Sequence, residues 1–316
     1  MSLLTTVIPV YNGEKFLPAT LESVAAQTRR PDRVIVLDDE STDDTAQIAK
    51  EFAGIEVEHV LNPKNLGLFE NHNRALDFST ETDYLHILHA NDLIRPEFYE
   101  AVLSCFDDGD EPAMGFSQYE FIDEEGNVTG APSQPNFEQP REISKKEFLI
   151  RQSELRATLI DATLHRTSRQ PALFRFPLDY PHVADVMFHA GWADKGARLF
   201  ETPKALCQFR KHEGSMTNAN TKKLQAWVVD EWRAIDGVSK MIPEGGLSRA
   251  LRGAKLRCLF AARTMVKVKM FRNNPEYARQ IATEGRRQVG GFYWLLGRIA
   301  VGLRDAIKSR TDLYGD

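Results

Sequence analysis

The chemistry in this sequence begins where two short apolar runs stop in polar residues. Val7–Asn12 reads V-I-P-V-Y-N, and Val34–Asp44 reads V-I-V-L-D-D-E-S-T-D-D. Each run has the length and continuous apolarity of a parallel strand buried on both faces. The polar residues that end them fall where the C-terminal mouth of an α/β sheet binds ligands, which predicts a nucleotide pocket. Taken alone, Asp38, Asp39, Asp43 and Asp44 also read as a solvated turn and helix cap. The V-I-P-V-Y-N run upstream turns the reading toward a ligand.

The elements that would hold these residues follow from the patterning. Leu3–Pro9, Arg33–Leu37, Val57–Leu61 and Tyr84–Leu88 read as strands, and Glu14–Gln27, Asp43–Phe52, Leu68–Asp77 and Pro96–Phe106 as helices. That alternation has the spacing of βαβ units and predicts an α/β fold with a mostly parallel sheet. Ser41 and Asp44 supply an S-x-x-D helix start. Further on come a strand at Ala113–Ile122, a loop rich in Asp, Glu, Gly, Pro and Gln, and a helix at Ser144–Gln152. A strand at Leu159–His165, a helix at His182–Lys195 and a strand at Ala197–Phe209 complete this part. Beyond Thr217 helical periodicity takes over, broken at Pro243–Gly246 and Asn273–Pro275. The chain therefore divides into an α/β domain at 1–217 and a helical region at 218–316.

A chain of 316 residues, 42% of them hydrophobic, buries enough core for one large domain and a smaller one, which excludes a disordered polymer. Its net charge of −5 is unevenly spread: residues 221–316 hold 19 Lys/Arg against 9 Asp/Glu, and the rest of the chain 21 against 36. Cys105, Cys207 and Cys258 are far apart and odd in number, so neither a disulfide framework nor a zinc site is indicated. A reducing cytoplasm is the expected location, with no export signal and no apolar run of about 18 residues to span a bilayer. A dinucleotide-binding oxidoreductase needs G-x-G-x-x-G after the first strand, and Y-N-G-E-K-F lacks it.

Six segments taken in order resemble glycosyltransferase family 2. They are V-I-P-V-Y-N, L-D-D-E-S-T-D-D-T, N-L-G-L-F-E-N-H-N, L-H-A-N-D at 88–92, A-D-V-M-F-H at 184–189 and F-R-K-H-E-G-S at 209–215. The resemblance runs from Leu4 to about Thr217, roughly two thirds of the chain. It implies a GT-A fold, a Rossmann-like, mostly parallel sheet flanked by helices, here with a C-terminal α-helical extension. It also implies an enzyme that moves a sugar from a nucleotide-diphosphate sugar to an acceptor hydroxyl with inversion. UDP-sugar is the preferred donor, with dTDP- and GDP-sugars open.

By this resemblance Asp39 accepts a hydrogen bond from the nucleobase, with Asp38 beside it and Pro9, Tyr11 and Asn12 as the adjoining wall. Asn65, Gly67 and Asn73 occupy the family's N-x-G-x-x-x-x-x-N pattern, although His72 stands where Arg often precedes the final Asn. The family's metal-binding D-A-D-D reads His89-Ala90-Asn91-Asp92, so Asp92 is the remaining carboxylate. Asn91 and His89 add an amide oxygen and an imidazole nitrogen, and His212 a second metal or phosphate contact. The implied cofactor is a divalent cation, Mn²⁺ or Mg²⁺, and a mixed N/O donor set leans toward Mn²⁺. Without a metal, Arg210, Lys211, His212 and Lys64 would neutralise the diphosphate. Asp185 matches the family's base; its local alternative is a helix N-terminal Asp favoured by the macrodipole.

The basic C-terminal region interleaves apolar and aromatic positions with Arg and Lys, as in Leu256–Phe260, Met265–Phe271 and Phe292–Leu303. Two readings stand: a helix lying in an anionic membrane interface, or a helical bundle with basic outer faces. Nucleic acid is not an expected partner, because no recognition motif accompanies the charge. The expected partners are a nucleotide-sugar donor, a glycan or lipid-linked acceptor of cell-envelope polysaccharide synthesis, and the inner membrane face. The second functional class is a catalytically weakened glycosyltransferase-like protein that binds nucleotide or glycan or scaffolds a partner. It rests on His89, Asn91 and Ala184 standing where the family has carboxylates.

Overall fold

Seven consecutive buried residues, Leu4–Val10, form β1, and a strand buried on both faces needs partners on both edges. The partners are β2 (Arg33–Asp38) and β4 (Tyr84–Ile87), both parallel to β1. The computed structural model describes residues 2–131, 135–156, 158–214 and 216–311. β3 (Glu58–Leu61), exposed at both ends, adds to β2 in parallel as an edge strand. The helices between these strands are α1 (Leu17–Ala25), α2 (Thr45–Glu51) and α3 (Leu68–Ala75).

Then follow β5 (Leu93–Ile94), α4 (Phe98–Leu103), β6 (Ala113–Ile122), β7 (Val128–Gly130), β8 (Arg141–Glu142), α5 (Lys145–Ser153), β9 (Thr163–Arg166), α6 (Ala184–Asp194) and β10 (Arg198–Arg210). The sheet order is β3-β2-β1-β4-β9-β6-β10-β5, with β7 on β6 and β8 on β10. β9 runs antiparallel to both β4 and β6, whereas β6 and β10 pair in parallel. Most of the ladder is therefore parallel, as the βαβ spacing predicts.

Two compact units divide the chain. The first comprises Met1–Phe148, Ala157–Asp179 and Ala184–Ser215, and the second Leu149–Arg156, Tyr180–Val183 and Met216–Asp316. The first unit's core gathers Leu4, Ile8, Leu17, Leu21, Val36, Leu88, Phe98 and Tyr99 between the sheet and its helices. The second consists of α7 (Met216–Thr221), a π-helical stretch Gln225–Asp230, α8 (Glu231–Met241), α9 (Gly246–Met270), α10 (Pro275–Val289) and α11 (Gly291–Thr311). Its core is Trp227, Ile235, Leu256, Phe260, Ile281, Val289 and Trp294.

Local departures from the expected boundaries have local causes. α1 begins at Leu17 because Pro18 occupies its first turn and the Gly13 carbonyl accepts from both Phe16 and Leu17 N–H. The expected strand at Leu159–His165 opens instead with a 3₁₀ turn, Ile160–Ala162, which frees the Asp161 side chain to bond elsewhere. The break at Asn273–Pro275 appears as the start of α10, where the Asn274 side chain accepts from Tyr277 N–H. A further break at Gly290, with φ of +85°, separates α10 from α11.

Candidate active site

The carboxyl ends of β1 and β2 are tied into one another. Asn12, at a φ of +52°, accepts from Thr42 N–H at 2.8 Å while its own N–H donates to Ser41 Oγ at 2.9 Å. Asp38 is buried, accepting from Ser41 N–H at 2.8 Å and lying 2.9 Å from His59 Nε2. Asp39 is buried too; its oxygens accept from Asn62 Nδ2, Leu66 N–H and Gly67 N–H, each at 2.8 Å. Both carboxylates thus turn inward and shape loops. Gly67, at a φ of +82°, adopts a backbone that a side chain would strain, and it places its N–H on Asp39. Pro9 is buried in β1, whereas Tyr11, Asn12, Lys64 and Asn65 are exposed.

From α3, Asn73 turns away from these loops. It is buried and bonds both backbone groups of Phe176, donating to the carbonyl at 3.0 Å and accepting from N–H at 2.8 Å. Its neighbour His72 points toward the loop after β4, with Nε2 2.9 Å from His89 Nε2. The two departures from the family pattern at 72 and 89 are therefore one contact.

The proton arrangement along this contact follows from its ends. The Leu68 carbonyl can only accept, so His72 Nδ1, 2.7 Å away, carries a proton. Burial holds the His72 ring neutral, down at about 3, which leaves its Nε2 as an acceptor for His89 Nε2–H. His89 Nδ1 then faces two buried carboxylates, Asp161 Oδ2 at 2.8 Å and Asp92 Oδ2 at 3.5 Å. Burial opposes a charged His89 ring, but the two carboxylates outweigh it and hold it up at about 10. Burial and the charge of Asp161 push Asp92 upward.

Each carboxylate is pinned through its other oxygen. Asp92 Oδ1 accepts from Arg210 N–H at 2.7 Å and Asp161 Oδ1 from His89 N–H at 2.5 Å. A second buried line fixes Asp161 from behind. His86 Nε2 donates to the Asp161 carbonyl at 2.9 Å, so His86 Nδ1 accepts from Tyr99 OH, which in turn contacts Thr6 Oγ1 at 2.6 Å.

The remaining expected residues take other places. Arg210 is buried, its guanidinium donating to the carbonyls of Asn91 at 2.8 Å, Asp123 at 2.9 Å and Glu124 at 2.7 Å. It braces Asn91 and the following turn and presents little charge outward. Asn91 Nδ2 lies 3.4 Å from His212 Nε2, so these two form a pair apart from His89 and Asp92. Lys211 Nζ sits over the Phe121 ring. Asp185 is half-buried in the first turn of α6, where its Oδ1 also accepts from Val186 N–H at 2.8 Å. One turn on, Phe188 stacks on Phe176 at 4.0 Å, and Phe176 meets the His72 ring edge-on at 5.3 Å. Asp185 thus rides on a helix packed against the residue that supports His72.

Among the described residues, His89, Asp92 and Asp161 form the group whose ligand atoms converge within 4.8 Å. Asp92 Oδ2 and Asp161 Oδ2, both buried, have no aligned hydrogen bond beyond their ion pair with His89 Nδ1. One nitrogen and two carboxylate oxygens fit a divalent cation once that cation displaces the His89 Nδ1 proton. Asn91 and His212 offer no carboxylate and fit one poorly.

Asp161 was absent from the sequence-derived site because L-I-D-A-T-L reads as strand. A signal existed: an ionisable residue inside an apolar run needs a buried partner. Register supplies it, since β9 pairs antiparallel with β4 through Tyr84–Arg166 and His86–Leu164, and extending that count sets 161 opposite 89.

Residues 5–175 match the sequence family described as Glycosyl transferase family 2. EpsH of Bacillus subtilis (strain 168), whose glycosyltransferase name is itself provisional, is 25% identical over 228 residues, 70% of this chain and 64% of EpsH. An uncharacterized glycosyltransferase of Haemophilus influenzae is 24% identical over 226 residues, 69% of this chain and 68% of its own. The chain thus spans just under two thirds of EpsH. Among solved structures, S. aureus TarS 1-349 in complex with UDP-GlcNAc superposes with a TM-score of 0.66 at 20% identity, over 94% of this chain and 84% of that one. That likeness establishes the GT-A fold.

Proposed function

The chain belongs to glycosyl transferase family 2, and from that premise we propose that it transfers a sugar from a nucleotide-diphosphate sugar to a hydroxyl of a glycan or lipid-linked acceptor in cell-envelope polysaccharide synthesis. The observation that carries this reading is the joining of loops at the carboxyl ends of adjacent parallel strands. Asn12, Asp38 to Glu40 and His89 to Asp92 follow β1, β2 and β4 side by side, the position at which open α/β sheets bind ligands. Residues 1–217 form the catalytic domain in this reading, and 218–316 its helical extension.

The exposed residues Tyr11, Asn12, Lys64 and Asn65 take the nucleoside, on loops that Asp38 and Asp39 hold in shape. UDP is the preferred nucleotide, supported by the complexes of TarS with UDP-GlcNAc and with UDP. Asp185 removes the acceptor hydroxyl proton as the bond from sugar to diphosphate breaks, when that hydroxyl becomes acidic. Attack opposite the departing diphosphate inverts the anomeric carbon. A divalent cation, when bound, neutralises charge on the leaving diphosphate; His89, Asp92 and Asp161 are the residues suited to hold it, and Mn²⁺ suits their mixed donors.

The second unit supports a membrane-peripheral reading. On α11, Phe292, Leu295, Leu296 and Ile299 are all exposed and fall on one face. Such a stripe beside Arg298 in a basic region suits an anionic lipid surface, here the inner membrane face. No described helix is long and apolar enough to cross a membrane.

A thermal-shift panel of UDP, GDP, dTDP and their sugars, each with Mn²⁺, Mg²⁺ or EDTA, tests the donor reading. A nucleotide at about 100 times its Kd adds roughly 2.7 kcal/mol and raises Tm by several degrees. A selective shift with uridine nucleotides is expected; no shift with any nucleotide overturns the proposal.

A further inference from the structure

We infer that His59, on the edge strand β3, is a positioning residue for nucleoside binding. Acting through Asp38, it sets the backbone at the carboxyl ends of β1 and β2, beside the exposed residues proposed to take the nucleoside. The ligand rests on the nucleotide-sugar reading; the positioning rests on a chain of hydrogen bonds. His59 lies outside all six segments that carry the family resemblance.

Strand register brings the two side chains together. β2 and β3 pair in parallel with Val36 opposite His59 and Asp38 opposite Leu61, so the alternation of each strand sets His59 and Asp38 on one face as diagonal neighbours. An ionised carboxylate only accepts, so His59 Nε2, 2.9 Å from Asp38 Oδ2, carries the proton and donates it there. Both side chains are withdrawn from water, Asp38 to 1% and His59 to 9% exposure, and among the described residues this ring is the partner of Oδ2. A buried carboxylate oxygen that lost its donor would swing toward water and take the whole group with it. Asp38 Oδ1 would then leave its own partner, Ser41 N–H at 2.8 Å. From Ser41 the chain runs on to β1: Ser41 Oγ accepts from Asn12 N–H at 2.9 Å, and Asn12 Oδ1 accepts from Thr42 N–H at 2.8 Å. Within the turn, Glu40 Oε2 accepts from Asn65 N–H at 2.9 Å, which ties in the segment after β3. Glu40, at a φ of +65°, and Asn12, at +52°, hold a backbone that residues other than glycine keep only where their surroundings fix it. The direction of the Asp38 carboxylate, set by His59, is what fixes this turn.

Two measurements on the full chain test this: amide hydrogen exchange at Asn12, Ser41 and Thr42 without nucleotide, and calorimetric titration with UDP at constant Mn²⁺. His59→Phe keeps a ring but removes the donor. It should speed exchange at those amides and weaken UDP binding by about 10-fold or more, the scale of one hydrogen bond to a charged group, with the binding stoichiometry kept. His59→Gln, whose amide donates to Asp38, should restore most of both. In turnover of a uridine-diphosphate sugar the loss should fall on KM more than on kcat. In an Asp38→Asn background His59→Phe should add little, because its effect passes through Asp38. A variant that merely misfolds would lose stoichiometry and kcat while the remaining sites kept the wild-type Kd. Unchanged exchange or an unchanged Kd in His59→Phe, a Kd weakened as much in His59→Gln, or fully additive losses with Asp38→Asn overturns the inference. Because exchange is read without ligand, loosened amides in His59→Phe of a protein that binds no nucleotide would sink the transferase reading and leave the positioning of these loops standing.

Discussion

Asp185 differs from the other carboxylates of the candidate active site in lying half-buried in the first turn of a helix. Its expected role is confined to proton removal, so Asp185→Asn should lower kcat by about 10²- to 10⁴-fold while the nucleotide-induced rise in Tm persists. Equal loss of both would make the residue structural. The buried histidines make a second claim at this scale. His165 and His189 stack 6.1 Å apart, and burial first of all drives both downward, His189 to about 3. An unfolded histidine takes a proton near pH 6.5, so between there and about 3 the unfolded state binds more protons. Stability is then full above pH 6.5 and falls as pH drops through that window, by roughly 1.4 kcal/mol per pH unit per such histidine. Tm measured from pH 7 to 4 should fall, and His189→Phe should flatten the slope; a slope unchanged by that variant contradicts the assignment.

Legibility at the scale of elements divides along a physical line. Periodicity was enough for β1, β2, β4 and the helices between them, because an apolar run buried on both faces has few other uses. It misplaced only the opening of the strand expected at Leu159–His165, which runs from Thr163 to Arg166, because the identity of one residue, Asp161, mattered more than the average apolarity of its neighbours. Motif order marked the β1, β2 and β4 loops as borders of the candidate site, yet it could not tell that Asp38, Asp39, Asn73 and Arg210 spend their side chains on neighbouring loops. Side-chain direction depends on partners distant in the chain, which spacing does not encode. The helix contacts of the second unit were equally hidden. A Cβ on Gly297 would stand 2.5 Å from Ala261 Cβ and 2.8 Å from Ala262 N, so α11 meets α9 closely only because this residue is glycine. Gly297→Leu should destabilise the second unit by about 1–3 kcal/mol, read as a lower Tm in calorimetry; an unchanged Tm would mean that the helices separate without cost.

For the whole molecule, the proposed membrane attachment rests on the charge asymmetry seen in the sequence and the apolar stripe on α11. Phe292 is 68% exposed and Leu295 54% exposed, large values for apolar side chains at positions three apart on a helix. Co-sedimentation with vesicles rich in anionic lipid should retain the protein at low salt and release it as salt rises. The double substitution Leu295→Glu and Ile299→Glu should abolish retention, and equal retention of wild type and variant would assign binding to charge elsewhere. Sugar transfer itself is read from nucleotide release from a panel of nucleotide sugars, measured for wild type and Asp185→Asn in parallel. Release from a uridine-diphosphate sugar by the wild-type protein is expected, with loss of that release and retention of nucleotide binding in Asp185→Asn. Binding without release in the wild type, or equal release by both proteins, would contradict it.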